Sequence, residues 1–94
     1  MVISPSTRDF IQNLINYYVS EAASYKQFAE GYTPEIADVS AATFGIIVGC
    51  IYSGFLQAYA NQKQKVGLED MQEFHKIIKE RAPEIKKAIL GNKK

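Results

Sequence analysis

Val39-Ser40-Ala41-Ala42-Thr43-Phe44-Gly45-Ile46-Ile47-Val48-Gly49-Cys50-Ile51-Tyr52-Ser53-Gly54-Phe55-Leu56-Gln57-Ala58-Tyr59-Ala60-Asn61-Gln62 contains no charged side chain; Asp38 precedes it and Lys63 follows it. A surface helix carries a polar face opposite its apolar one, and this stretch shows none until its last turns. A helix that is apolar all round is either enclosed by protein or lies in lipid. Each flanking helix shields a stripe of about 100°, so two of them cover about 200° and leave the rest of the circumference bare. The segment therefore calls for a partner. It is also sorted by size: Ala41, Ala42, Gly45, Gly49 and Ser53 share one side, with Phe44, Ile47, Val48, Ile51, Phe55 and Tyr59 around the rest. A glycine inside a helix costs about 1 kcal/mol relative to alanine, so Gly45, Gly49 and Gly54 need a packing reason. Close approach of two helix axes, at the low end of the usual range of about 8–10 Å, supplies one. The expected self-association seam is Ala41, Phe44, Gly45, Val48, Gly49, Tyr52 and Ser53.

Working outward, Ser4-Pro5 reads as a helix start, with serine as cap and proline where its missing N–H is harmless. Apolar side chains then recur at Ile11, Ile15, Tyr18, Ala22, Tyr25, Ala29 and Tyr32, with Phe10, Leu14, Tyr17 and Phe28 widening the stripe. This predicts one helix over about 5–30, closed by Gly31 as a left-handed cap. Thr33-Pro34-Glu35 repeats the start signal and predicts a second helix over 34–65, with Gly67 as its stop or hinge. A third segment over 68–90 opens on acids and carries Met71, Phe74, Ile78, Ala82, Ile85 and Ile89 as its stripe. Pro83 removes an intrahelical bond and predicts a break, with 91–94 as a flexible tail. The expected fold is all-α: an antiparallel bundle of three main helices in one domain over 1–94, completed by oligomerisation, most simply a dimer.

Composition narrows the function. At 94 residues, 47% hydrophobic and 22% charged, the chain fits one globular domain and not a disordered segment. One cysteine, Cys50, excludes an internal disulfide and a multi-cysteine zinc site. One histidine, His75, excludes a two-histidine metal motif, and glutamine at position 72 spoils the Glu-x-x-His spacing of di-iron proteins. No basic residue lies near Cys50 in sequence to activate its thiol, which suits buried packing. The helical glycines match neither nucleotide-binding pattern. Six tyrosines without interleaved bases suit core or interface rather than base stacking. The residues imply no cofactor and no catalysis. Polar residues follow Met1-Val2-Ile3 at once, so no signal leader is read there, and the expected setting is reducing and cytoplasmic.

Charge is segregated, with net −3 over residues 1–38 and net +4 over 63–94. Lys76, Lys79, Arg81, Lys86 and Lys87 form a candidate basic patch for a nucleic-acid-associated complex. The bland reading is that lysines near helix C-termini complement the dipole and keep the protein soluble. The uncharged run also satisfies the length of a bilayer span, and Gly45-x-x-x-Gly49 fits a small-xxx-small motif. Against a span stand Thr43, Ser53, Gln57, two tyrosines and matching amphipathic stripes on both neighbours. Lys65-Val66-Gly67-Leu68-Glu69-Asp70-Met71 resembles the loop and acidic helix start after the long central helix of the histone fold. The first helix is longer than that fold has, and the central one lacks its DNA-facing bases. The expected role is a self-associating helical assembly subunit, the alternatives being the nucleic-acid-associated subunit and the single-span membrane protein.

Overall fold

The computed structural model describes residues 3–91, which form helices α1 (Pro5–Ser20), α2 (Ala22–Glu30), α3 (Val39–Asn61) and α4 (Leu68–Ile89). Ser4 caps α1, its hydroxyl accepting from the Thr7 N–H at 3.2 Å, with Pro5 in the first turn. Among the described residues the chain is all-helical, and the three-helix expectation is corrected in five places.

The first arm breaks at Glu21, whose φ of −105° and ψ of 13° leave the helix for one residue. Ser20 contributes, because its Oγ donates to the Tyr17 carbonyl at 2.6 Å and competes for a helix acceptor. Gly31 does not adopt the left-handed cap; its φ is −65°. Thr33 closes α2 instead of opening α3, its hydroxyl donating to the Glu30 carbonyl at 2.9 Å. The second start falls to Asp38, whose carboxylate accepts from the Ala41 N–H at 3.0 Å. At the far end, α3 stops before Gly67 because Lys63 takes the left-handed conformation at φ 58°. Its N–H donates to the Ala60 carbonyl at 2.9 Å, and that of Gln64 reaches Tyr59 O at 2.9 Å, the pairing of a Schellman cap. Gly67 becomes the N-cap of α4, its N–H donating to Asp70 Oδ2 at 2.9 Å.

Pro83 does not break α4, which runs through it. The proline is exposed, so the Lys79 carbonyl it orphans faces water. On the inner side Phe74, Ile77, Ile78, Ile85 and Ile89 are buried on both sides of it, and that packing holds the helix together. Of the expected 91–94 tail, Gly91 adopts φ 69°, and residues 92–94 lie outside the described residues.

Ile11, Ile15, Ile47, Ile51, Phe55, Phe74, Ile77 and Ile85 meet in one core, joined by Ile3 from the N-terminal segment. Residue pairings give the directions. Thr7 meets Gln62 and Leu14 meets Gly54, so α1 runs against α3. Arg8 pairs with Glu73, and Arg81 bonds to Gln12 and Asn16, so α4 runs alongside α1. The molecule measures 40 × 30 × 19 Å, about two helix diameters at its thinnest. A body so thin has no room to surround a helix on every side.

Candidate interaction surface

On α3, Thr43, Ile47, Ile51, Phe55 and Tyr59 are buried at every fourth position. The one buried hydroxyl among them is satisfied locally, Thr43 Oγ1 donating to the Val39 carbonyl at 2.7 Å. A step of two residues turns a helix by about 200°, so the positions before each of the first four lie almost diametrically opposite. Those positions are Ala41, Gly45, Gly49 and Ser53, and all four are exposed. Only 22% of the most apolar 18-residue window of α3 is buried. The chain's least polar helix therefore turns an uncharged face outward.

The three glycines differ in what surrounds them. A Cβ at Gly54 would lie 2.5 Å from Leu14 Cδ1, so that glycine has its packing reason within the chain, at the α1–α3 crossing. A Cβ at Gly45 or Gly49 would meet nothing within 4 Å. Their helix-propensity cost of about 1 kcal/mol each is offset by no contact in the folded chain.

Half-buried side chains wall the small stripe. On the α4 side Phe44, Val48 and Tyr52 join Met71, Phe74 and His75 around a shallow groove of about 360 Å³. Its floor is aromatic: Tyr52 lies 5.7 Å from the Phe74 ring, which stacks on Phe55 at 4.5 Å. Phe44 also borders an end groove of about 400 Å³ with Ala41, Asp38, Lys86, Ile89 and Leu90. On the α1 side, Phe10 and Tyr17 share a face with Leu14, which touches α3 at Gly54. Gln12 and Asn16 face α4, so the Phe10–Tyr17 row belongs to the α3 side. Phe10 is 43% and Tyr17 54% exposed, which corrects the expectation that they widen the buried stripe; Phe28 and Tyr32 are exposed likewise. Neither groove nor row was legible as a surface, because each side chain fits the apolar period of its own helix.

No family model, curated protein or solved structure matches this chain. The remaining candidates are read from their surroundings. Lys76, Lys79, Lys86 and Lys87 are exposed on the outer side of α4. Arg81 departs from the expected patch: its guanidinium donates to Gln12 Oε1 and Asn16 Oδ1, both at 2.7 Å, and to Glu84 Oε1 at 2.8 Å. That bond holds the Glu84 carboxyl below its ordinary value, against a smaller opposing effect of burial. Over its length α4 carries five acids and five bases, with Glu69 and Asp70 in its first turn and Lys86 and Lys87 in its last. His75 is exposed, its ring edge-on to Phe74 at 5.6 Å.

Cys50 is half-buried rather than buried and lies near the Tyr18 hydroxyl. Burial first, and Cys50 second, push the Tyr18 phenol up. Tyr59 is raised as well, chiefly by burial and then by the negative charge of the nearby Asp70 carboxylate. Among the described residues, no group of three or more His, Cys, Asp or Glu side chains is placed to hold a metal ion.

Proposed function

We propose that this chain is a non-catalytic helical assembly subunit that self-associates through the outer face of α3, two copies completing a larger bundle. The observation that carries the reading is the open space over Gly45 and Gly49 on an uncharged face. Magnitudes set how much surface must take part. An α3 of 23 residues is about 35 Å long, and a strip about 10 Å wide along it covers about 350 Å². That falls within the patch sizes found on monomers, about 300–600 Å². A stable interface takes about 800 Å² from each partner. The small stripe alone is too narrow, so the Phe44–Val48–Tyr52 wall takes part with it.

Gly49→Leu separates folding from association. The side chain has room in the single chain and favours helix, so helicity and thermal stability are expected to be kept or raised at a concentration low enough for the parent to be monomeric. In a close crossing it holds the axes apart, and sedimentation equilibrium is expected to show the variant as a monomer where the parent is a dimer. A variant that still dimerises at parental affinity would defeat the reading.

A second reading has its own observation: α3 alone among the described helices is long and apolar enough to cross a membrane. Extracting it would uncover the stripes of α1 and α4 that now meet Ile47, Ile51 and Phe55. Partition of the expressed protein into the membrane fraction would favour the span, and a detergent-free soluble dimer the assembly subunit.

A further inference from the structure

Resting on the reading of α3 as the association face, we infer that the occupant of that face is a second copy running antiparallel, with Gly49 on the two-fold axis. Charge favours this arrangement. Glu35 and Asp38 precede α3, Lys63 and Lys65 follow it, and all four are exposed. Among the described residues none of the four forms an ion pair within its own chain, although Lys86 borders the same end groove as Asp38. A parallel crossing sets Glu35 and Asp38 against their own copies and Lys63 and Lys65 against theirs. An antiparallel crossing sets acids against lysines at both ends, and it also opposes the two helix dipoles.

Register favours it too. The small stripe and the end charges nearly share one midpoint. Gly49 lies midway in sequence between Gly45 and Ser53 and between Ala41 and Gln57, and within two residues of the midpoint between the two caps Asp38 and Lys63. A single two-fold axis at Gly49 therefore places Gly45 opposite Ser53 and brings Asp38, the N-cap of α3, to the end where Lys63 closes α3 of the second copy. The end charges meet only at a shallow crossing, about 20° rather than about 50°, and small residues opposite small residues let the axes come close enough for one.

Disulfide trapping reads the register in the full-length chain. In a Cys50→Ser background, with helicity checked by circular dichroism, three samples are oxidised: Gly49→Cys alone, Ser53→Cys alone, and Ser53→Cys mixed with Gly45→Cys. The antiparallel register predicts that Gly49→Cys becomes mostly covalent dimer and that the mixture does so as a heterodimer. Ser53→Cys alone should stay at background, since its copy lies about 12 Å away along the axis, beyond the Cα separation of about 7 Å a disulfide tolerates. Efficient trapping of Ser53→Cys alone would overturn the proposal in favour of a parallel pair.

Charge reversal checks the same claim without cysteines. Lys63→Glu is expected to weaken dimerisation about 2–5-fold, the range for an exposed pair, and Glu35→Lys in the same chain to restore it. A double variant weaker than either single one contradicts the antiparallel pairing. Loss of dimer in the parent protein itself would instead remove the reading on which the register rests.

Discussion

Lys63 is where one residue holds a conformation its side chain opposes. Its φ of 58° closes the cap of α3, and an L-residue in that region carries a cost of about 1–2 kcal/mol that glycine avoids. Lys63→Gly is expected to raise the stability of the folded chain by about 1 kcal/mol, read as a higher urea midpoint at a protein concentration low enough to keep it monomeric. An unchanged or lower midpoint would mean that the left-handed cap is not populated in solution. At this scale the sequence was partly legible. Ser4 and Gly67 stand at helix boundaries as their residue types suggest. Thr33 did not, because one hydroxyl can serve the carbonyl behind it or the N–H groups ahead, and only the folded chain decides which.

Among the elements, α4 shows tertiary packing overriding a local breaker. Pro83 removes one hydrogen bond on the water side, while five buried side chains on the other side keep both halves in line. Pro83→Ala restores the bond to the Lys79 carbonyl. It is expected to stabilise the protein by about 1–3 kcal/mol, measured by the same urea titration. A destabilised Pro83→Ala variant would show that the proline itself packs usefully. The number of elements is hidden in the sequence for the mirror-image reason. Stripe periodicity continues across Glu21, so nothing in the apolar pattern marks the break between α1 and α2. The outer face of α3 was legible because glycine and alanine recur at one spacing. Its walls were not, since Met71, Phe74 and Phe10 come next to α3 only after three helices have found their pairings.

At the scale of the whole molecule, two tyrosines and one carboxylate tie folding to pH. The Tyr18 and Tyr59 phenols are raised in the folded state, so folding favours their neutral form. Their contribution is complete below the ordinary tyrosine value of 10.0 and is lost as pH rises through the folded values. Glu84 acts with the opposite sign: its lowered carboxyl contributes above the ordinary value of 4.5 and loses that contribution as pH falls through the folded one. Stability is expected to decline above pH 10 as the two phenols ionise. Combined Tyr18→Phe and Tyr59→Phe substitution should make the alkaline decline shallower, measured as the urea midpoint against pH. An identical alkaline limb in the double variant would show that other groups set it.

The thinness of the molecule, 19 Å in its shortest dimension, leaves α3 with an apolar side its own chain does not cover. Sedimentation equilibrium of the unaltered chain in detergent-free buffer, across a wide concentration range, tests that most directly. The account predicts a concentration-dependent rise from 10.5 kDa to twice that mass, ending there as a closed dimer. A constant 10.5 kDa up to the highest soluble concentration would contradict it.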